Sequence, residues 1–335
     1  MCDRRSGRTG RRTGRLAPRT RDSETPARHF KKSLGDCCPG AAERYALMES
    51  LQLQQPDMDI AEACEAFGVS RSGYYAHRRK PLGKRRLQDA ELAPQVRDAF
   101  LASRGSYGSP RVMHALRRKG LFHGKARISR LMRAQGCRVA CKRRFVPKTT
   151  VTAPDSPVSP NRLLERSSTR RTDEVWVTDI TYLPTAEGWL YLAAEMDLHS
   201  RRILGWSTGD SLASELAQRA LDQALQTRPQ AALEDLLHHS DRGCQYTSAG
   251  FRRRLGMRGI HQSMSRRGNC YDNAAMESFW ATLKTECFGR TLPATRAQAR
   301  MMVFDYIETF YNPVRLHSSL GFQSPVEYEQ SLNRN

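Results

Sequence analysis

The sequence has no apolar run of the roughly 18 residues that a membrane span requires, and no apolar segment follows its basic N-terminus. We therefore expect neither a membrane helix nor a secretory signal. It also lacks a GxxxxGKS/T phosphate loop and a GxSxG elbow, which argues against ATP consumption and against a serine hydrolase. The nine cysteines are scattered and form no CxxC pair. They fit reduced thiols in the cytoplasm better than a disulfide framework, and Cys137 and Cys141 lack the histidine pair of a zinc site.

Acidic residues are scarce in the first half of the chain. Residues 1–164 hold 35 Lys and Arg against 14 Asp and Glu, whereas the rest of the chain has 20 of each. The excess is densest between Arg78 and Thr149, with 21 basic and 3 acidic residues. Nucleic acid is the first candidate partner, because Lys and Arg displace the counterions condensed on phosphates. A membrane surface is the weaker alternative, since no apolar helix face accompanies the charge.

Residues 41–80 have the pattern of a helix-turn-helix unit. Gly68 supplies the turn between two helices and Ser70 caps the second helix. Three arginines of this second helix are candidate DNA contacts: Arg71, Arg78 and Arg79. An ordinary pair of packed helices is the alternative, in which Tyr74 and Tyr75 belong to the core.

Residues 81–140 form a second basic helical unit with the same two interpretations. A helix through LAPQVRDAFLAS precedes the helices VMHALRRKG and ARISRLMRAQG. In the last of these, Ile128, Leu131 and Met132 make an apolar stripe, which leaves Arg127 and Arg130 facing outward as candidate DNA contacts.

Two segments of the basic half show no periodicity. Residues 1–40 are rich in Arg, Gly, Ser and Pro, and we expect a disordered basic arm there. Residues 141–164 contain four prolines and are predicted to be a linker.

The hydrophobic period changes from helical to alternating near Thr172. EVWVTDITYL, WLYLAAEMD and RRILGWST are predicted strands, with a turn at 186–188. Helices and short strands then alternate, with LLHHSD and IHQSMS as strands, and two helices follow in NAAMESFWATLKTE and RAQARMMVFDYIETF. This order predicts an α/β domain over 165–290 with a C-terminal helical extension over 291–335.

Three acids stand where a phosphoryl-transfer site needs them. Asp179 lies within a strand of apolar and β-branched residues, where an unpaired carboxylate is costly unless something neutralises it. Asp241 follows a short strand at its C-terminal end, where ligands bind in α/β sheets. Glu277 lies in a helix after 35 intervening residues, and Lys284 follows seven residues later. Asp197, which ends a strand at a turn, is set aside as a structural acid.

The spacing of these residues resembles the DD(35)E signature of integrase-core transposases and retroviral integrases. The strings WVTDITYL, HSDRGCQYTS, SRRGNCYDNAAMESFWATLKTE and YNPVRLHSSLGFQSPVEY resemble the second-frame (OrfB-type) transposases of the bacterial IS-three (IS3) family of insertion sequences. GVSRSGYYAHRR and SRGSYGSPRVMHALRRKG resemble the N-terminal part of the same proteins. The resemblance spans roughly residues 56–328.

The resemblance implies a ribonuclease H-like catalytic domain in which Asp179, Asp241 and Glu277 bind two Mg²⁺ or Mn²⁺ ions. It implies metal-dependent cleavage and strand transfer at the ends of the element by direct transesterification. The implied partners are terminal inverted repeats, target DNA, further copies of the chain and a first-frame helix-turn-helix protein. The implied location is the bacterial cytoplasm, in association with the nucleoid.

Further residues near the acids have expected roles. Seven residues make about two helical turns, so Lys284 is expected to share a face with Glu277 and hold a DNA phosphate. The alternative for Lys284 is a solvated surface lysine. Arg266 and Arg267 lie in a polar loop and are candidate DNA contacts. Four other residues are expected to have structural roles. Asp272 and Asn273 should cap the Glu277 helix, and His238 and His239 should pack in the core.

Two other functions remain open from the residues. A catalytically inactive DNA-binding remnant or regulator would keep the basic half without using the acids. A plain nuclease of the same fold would cut DNA without joining it.

Overall fold

The chain divides between Gln88 and Asp89 into two units. A computed structural model describes residues 40–79, 84–139, 159–163, 169–265, 273–289 and 291–334. The predicted basic arm, apart from Gly40, and most of the predicted linker lie outside these residues, as do Arg266 and Arg267. None of the helices in the described part of the chain is long and apolar enough to cross a membrane.

The described part of the first unit consists of three helices around a small core. Gly68 has a left-handed backbone (φ +61°), and the Gly73 amide donates to the Ser70 hydroxyl at 3.1 Å, as expected for the predicted turn and cap. Tyr74 is buried in the core beside Met48, whereas Tyr75 is exposed. The sequence predicts two helices here, and the structure adds one before them: α1 (Ala41–Gln54), α2 (Ile60–Ala66) and α3 (Arg71–Arg79).

Three more helices precede the sheet. The longest begins eight residues earlier than LAPQVRDAFLAS indicates, and Pro94 lies inside it. The predicted stripe of Ile128, Leu131 and Met132 is buried. The bounds are α4 (Lys84–Ala102), α5 (Ser109–Arg117) and α6 (Lys125–Ala134).

Five strands form one sheet in the order β3-β2-β1-β4-β5. The first three are antiparallel neighbours, while β4 pairs in parallel with both β1 and β5. The predicted turn falls between β1 and β2, where Gly188 has φ +107°. This mixed order confirms the ribonuclease H-like prediction. The bounds are β1 (Val175–Thr185), β2 (Gly188–Asp197), β3 (Ile203–Gly209), β4 (Leu237–Ser240) and β5 (His261–Met264).

Helices cover both faces of the sheet. Phe251 and Leu255 fill the core on one face together with the apolar side of α7, and Met276 and Phe279 fill the core on the other face. The bounds are α7 (Ser214–Gln226), α8 (Cys244–Thr247), α9 (Ala249–Met257), α10 (Ala274–Glu286), α11 (Arg296–Phe304) and α12 (Pro325–Leu332).

The helices α4 to α6 share a core with the catalytic domain. Tyr107 lies between α4 and α5, and its hydroxyl donates to the Val314 carbonyl at 3.2 Å and accepts from the Leu316 amide at 2.7 Å. The His114 ring stacks on Phe322 with centroids 3.5 Å apart. The sequence predicts a separate unit over 81–140, and in the structure its apolar stripe belongs to the same buried cluster as residues of β1, β2 and α10. Periodicity shows that a stripe is buried, and it does not show against what.

A π-helical segment, Asp305–Tyr311, continues α11. The Asn312 amide donates to the Ile307 carbonyl at 3.1 Å, which is the i to i−5 spacing of a π-helix. Beyond it, the Asn312 side chain accepts from the Ile203 amide at 3.0 Å and donates to the Ile203 carbonyl at 2.9 Å. The segment thereby fixes the start of β3.

Candidate active site

Asp179 lies on the central strand of the sheet. Its register partner on β2 is Ala194, and β4 borders β1 on the other side. The Trp280 indole on α10 donates to Asp179 Oδ2 at 2.9 Å. This bond fixes the rotation of the carboxyl and ties α10 to the strand.

The Asp179 carboxyl is held in a state that disfavours its charge. Burial raises its pKa to about 7, and the neighbouring charges of Asp241 and Glu277 act in the same direction. The Trp280 bond and the Ile180 amide oppose this shift without cancelling it. A cation that binds beside this carboxyl would stabilise its charged form.

Asp241 is placed beside Asp179 by the parallel pairing of their strands. Val177 pairs with His239, so continuing this register by two residues aligns Asp179 with Asp241 on the same face. Burial raises the pKa of Asp241, and the Gly243 amide donates to its Oδ1 at 2.9 Å. A Cβ on Gly243 would lie 2.9 Å from that same oxygen, so only glycine fits there without displacing the carboxyl.

Glu277 is exposed on the first turn of α10, whose inner face buries Met276 and Phe279. The expectation that Asn273 caps this helix is wrong. Asn273 occupies the cap position, but its side-chain amide donates to the Thr178 carbonyl at 3.2 Å, so it anchors the helix to β1 next to Asp179. Asp272, the other expected cap, lies outside the described residues.

The donor set fits a hard divalent cation. In the part of the chain that the structure describes, no three His, Cys, Asp or Glu side chains are close enough to form a metal-ion cluster. Asp241, directly after β4, nevertheless lies close enough to Asp179 on β1 to raise its pKa, the pKa of Asp241 is also raised, and Glu277 adds to the field at Asp179. Carboxylate oxygens are the ligands that Mg²⁺ takes, usually one or two per ion with water completing the shell.

Lys284 extends the same site along α10. It is half-buried, and burial lowers its pKa while the charge of Asp179 acts to raise it. An electrostatic contact with Asp179 fits the expected shared face with Glu277. A contact of Lys284 with DNA stays a prediction.

The other expected DNA contacts fall into two groups. Arg71, Arg78 and Arg79 are exposed on α3. Arg127 and Arg130 instead share one carboxylate, Asp89, with N to O distances of 2.7 and 2.6 Å. All five stay predictions as DNA contacts.

The two histidines of β4 are fully buried. His238 Nε2 lies 2.9 Å from Glu195 Oε2, on the face opposite Asp179. The His239 ring nitrogens lie 2.9 and 3.0 Å from the hydroxyls of Ser263 and Ser265. Both positions fit the expected packing role.

The acid set aside at the β2–β3 turn is structural. Asp197 accepts from the amides of Ser200 and Asp173 at 2.6 and 2.7 Å. It therefore shapes the turn that carries Arg201.

Two residues of the site were not singled out from the sequence. Trp280 is three residues after Glu277, so helical spacing alone could have placed it near the acids. Tyr246, whose pKa is raised well above its usual value by burial and by Asp179 and Asp241, packs beneath the site with its hydroxyl 3.4 Å from that of Thr178. No motif in the sequence marks this contact, because it crosses from α8 to β1.

Three family models match the chain. Residues 169–270 and 258–325 match two models that are both described as integrase core domain. Residues 86–145 match an HTH-like domain.

Among solved structures, the chain is similar to a simian T-cell lymphotropic virus intasome in complex with PP2A regulatory subunit B56 gamma. The TM-score is 0.40 at 15% identity, over 65% of this chain and 70% of that one. It is also similar to the HTLV-2 integrase catalytic core domain in complex with magnesium. There the TM-score is 0.36 at 13% identity, over 48% of this chain and 99% of that one.

Curated relatives match most of this chain. The Insertion element IS600 uncharacterized 31 kDa protein of Shigella sonnei is 39% identical over 272 residues, which are 81% of this chain and 98% of that protein. Transposase InsF for insertion sequence IS3A of Escherichia coli (strain K12) is 37% identical over 288 residues, which are 85% of this chain and 98% of that protein. An HTH-like domain precedes an integrase core in this chain, and the identity to a transposase extends over most of it. The chain is therefore a polynucleotidyl transferase that carries out transposition and DNA integration. The chain belongs to the IS3 family of insertion-sequence transposases.

Proposed function

We propose that Asp179, Asp241 and Glu277 are the catalytic residues with which this transposase cuts and joins the ends of its element. The observation that carries the proposal is the parallel pairing of β1 with β4, which brings Asp179 on β1 close to Asp241 directly after β4, with raised carboxyl pKa values. Two carboxyls that disfavour their own charge, facing a helix that brings a third, make a site built to receive cations.

The reaction has two steps of the same kind. First, a water oxygen attacks the phosphorus at the end of the element, the bond from phosphorus to the 3′ oxygen breaks, and that oxygen leaves as a 3′-hydroxyl. Then this hydroxyl attacks a phosphorus of the target strand, and the target's own 3′ oxygen leaves. No covalent bond between protein and DNA forms in this direct transesterification.

The residues of this chain orient the reacting groups. Asp179 and Asp241 with Glu277 would hold Mg²⁺ or Mn²⁺, two ions in all, which would supply charge to the attacking and leaving oxygens. Trp280 keeps the Asp179 carboxyl in one rotamer, and the Gly243 amide does the same for Asp241. Lys284 binds a phosphate beside the scissile bond.

The DNA substrates are the terminal inverted repeats and the target duplex. The excess of 21 basic over 3 acidic residues between Arg78 and Thr149 supports binding of a polyanion on the N-terminal side of the catalytic domain. Arg266 and Arg267, with the α3 arginines, add contacts to the same DNA. Assembly of several copies on two ends, a first-frame helix-turn-helix partner, and a place on the nucleoid in the cytoplasm complete the proposal.

A strand-transfer assay tests the catalytic assignment. Labelled terminal repeats are incubated with the protein, Mg²⁺ and a target duplex, and joined products are resolved by size. Asp179→Asn, Asp241→Asn and Glu277→Gln should each reduce cleavage and joining by about 10³-fold or more while DNA binding survives, because an amide supplies no charge to a cation.

Each outcome is informative. Wild-type-like joining by one of the three variants would remove that residue from the site. Cut products without joined products, from the wild-type protein, would indicate a plain nuclease. DNA binding with neither product would indicate a regulator, and would overturn the proposed function.

A further inference from the structure

Helix α10 has a second functional face. Ala274, Ser278 and Thr282 on this face line a cleft that lies about a third of a turn around the helix from Glu277. Arginines from three other parts of the chain enter the same cleft, which we name the arginine cleft: Arg111 of α5, Arg201 of the β2–β3 turn and Arg315 after the π-helical segment.

Arg111 brings a partly buried positive charge to the cleft. It is half-buried, and its guanidinium lies 5.9 Å from the centre of the Tyr107 ring. Among the described residues, no acidic side chain pairs with it. Burial and the neighbouring Arg315 lower its pKa, and the charge of Glu286 opposes this shift without cancelling it.

Arg201 is held over the cleft by an unusual backbone. Its φ of +61° lies in the left-handed region, which is unfavourable for a non-glycine residue. The turn persists because Asp197 accepts the Ser200 amide at 2.6 Å and the Asp197 carbonyl accepts the Arg201 amide at 2.9 Å. Within the described residues, the Arg201 guanidinium has no acidic partner, in contrast to its neighbour Arg202, which pairs with Glu329 at 2.6 Å.

Arg315 forms the rigid wall of the cleft. Its guanidinium makes two bonds to Glu286, at 2.8 and 2.7 Å, and the Tyr306 hydroxyl donates to the same carboxylate at 2.8 Å. Glu286 therefore forms its salt bridge with Arg315, whereas Arg111 and Arg201 form no salt bridge with a described residue.

His317 adds a neutral polar group at the base. Its ring packs edge-on against Tyr311, with centroids 5.0 Å apart, and its buried Nε2 has no hydrogen-bond partner in the described part of the chain. Burial and the three arginines lower its pKa to about 3, so the ring stays neutral and can donate one N–H. A buried donor without a partner costs free energy, and a ligand oxygen would satisfy it.

We propose that the arginine cleft binds a phosphodiester of the DNA strand that is cut and joined at the catalytic carboxyls. The cleft gathers hydrogen-bond donors: two guanidiniums without a salt bridge, a buried imidazole nitrogen, and the hydroxyls of Ser278 and Ser318. Among the described residues, the one carboxylate beside these donors is that of Glu286, which holds Arg315. Guanidinium groups are the side chains best suited to phosphate oxygens.

The position of the cleft favours DNA over a small anion. The same helix presents Glu277 and Lys284 to the carboxyl site and Ser278 and Thr282 to the cleft, and a helix with its side chains is about 10–12 Å across. A strand that lies on α10 reaches both places. This inference rests on the proposed function for which strand is bound, but the binding itself does not require catalysis.

Uncharged phosphate analogues in the DNA test the contact between the arginine cleft and a phosphodiester. Duplexes of the terminal repeat carry a single methylphosphonate at successive positions on either side of the cleavage point, and the Kd of the full-length protein is measured for each. The wild-type protein should lose about 3- to 10-fold in affinity at the position that enters the cleft. In the double variant Arg111→Gln, Arg201→Asn, the unmodified duplex should bind about 10-fold more weakly, and the loss at that position should vanish, because the two changes remove the same interaction.

The variants are matched for folding and charge. Asn tolerates the left-handed backbone at position 201, and Arg111→Lys retains the charge and should keep part of the affinity. Arg253→Gln on α9, an exposed arginine on the other face of the sheet, removes one charge elsewhere and should leave every methylphosphonate effect unchanged. Thermal unfolding shows that each variant is folded.

The results separate the cleft from the catalytic proposal. If each methylphosphonate weakened binding by the same factor in the double variant as in the wild type, at every position, the phosphate site would be overturned. Absence of joined products from the wild-type protein would overturn the proposed function and leave the affinity measurements to decide the cleft.

Discussion

The two N-terminal helical regions both carry arginines that are candidate DNA contacts, and they use these arginines differently. In α1 to α3, Arg71, Arg78 and Arg79 are exposed, and none of the described acids pairs with them. In the region of α4 to α6, described acids pair with several arginines: Arg104 with Asp305, Arg118 with Glu327, and Arg127 and Arg130 with Asp89.

The difference shows that the number of basic residues and the charge available to DNA are separate quantities. Two of the acids, Asp305 and Glu327, come from the C-terminal part of the chain, so Arg104 and Arg118 attach α4 to α6 to the catalytic domain. The residues of that region that remain available include Arg111 in the arginine cleft. We therefore expect Arg71, Arg78 and Arg79 to contribute directly to DNA affinity, and the paired arginines of the second region to contribute mainly to stability.

The largest expected effect comes from deleting each region. A chain beginning at Glu165 loses the hydrogen bonds of Tyr107 and the buried side chains of α4 to α6, and burial of each such side chain contributes about 1.5–3 kcal/mol. It should not unfold cooperatively, because the sum approaches the whole stability of a domain. A chain beginning at Lys84 should keep a cooperative thermal transition and lose DNA affinity. A cooperative transition in the shorter chain would contradict the shared core.

Removing the exposed arginines should have the next largest effect. The triple variant Arg71→Gln, Arg78→Gln, Arg79→Gln should bind the terminal repeat about 10- to 100-fold more weakly at moderate salt. Its plot of log K against log salt should flatten by about 2–3, since each phosphate contact contributes about 0.9 to the slope. Fluorescence anisotropy over a salt series measures both quantities.

The matched control is Arg127→Gln, Arg130→Gln. Asp89 already compensates one of these two charges, so the slope should change by about 1 or less. Equal slopes for the double and triple variants would break the comparison between the two regions.

Lys284→Ala should have a smaller effect that is confined to catalysis. Lys284 is half-buried beside Asp179 and carries no oxygen for a cation, so its loss should weaken positioning of the terminal phosphate. We expect strand transfer to fall by about 10-fold, with partial activity in Lys284→Arg and with Mg²⁺ affinity near that of the wild type. Full activity of Lys284→Ala at limiting enzyme would make it an ordinary surface lysine.

The smallest expected effect is on the pH dependence of stability. The pKa of Asp179 is about 7 in the folded protein against 3.8 ordinarily, so the folded protein binds the proton more tightly. Without divalent metal, its contribution to stability should therefore be fully present below pH 4 and be lost as the pH rises to about 7. Asp179→Asn removes this loss and should raise the Tm at pH 8 by a few degrees, at about 2–4 °C per kcal/mol. Scanning calorimetry at pH 5 and pH 8 measures this. An equal change in Tm between the two pH values for the wild type and the variant would contradict the prediction.

Local patterns in the sequence predicted most of the catalytic domain. Alternation predicted β1 to β3, the helices and strands after them predicted an α/β domain, and the resemblance to integrase-core transposases implied the ribonuclease H-like sheet. The position of Asp241 at the end of a strand anticipated its place beside Asp179, since parallel neighbours end at the same edge. These features depend on residues close together in the sequence.

Features that depend on distant residues were not predictable in this way. Nothing near Asp89 indicates that it pairs with Arg127 and Arg130, and nothing near Arg111 indicates that it meets Arg201 and Arg315. The failed cap at Asn273 has the same cause: the residue type suits a cap, but the Thr178 carbonyl competes for its amide. Local propensity was overridden by a partner that the sequence does not reveal.

The π-helical segment makes chain length, more than residue identity, the critical property near the C-terminus. Substitutions at its exposed Glu308 would cost only a surface contact with Trp206. Deleting one residue between Asp305 and Tyr311 would restore α-helical spacing and turn everything after it by about 100°. Asn312 would then leave both backbone groups of Ile203, and Arg315 would leave Glu286. Insertions and deletions here would therefore damage the sheet and the arginine cleft together.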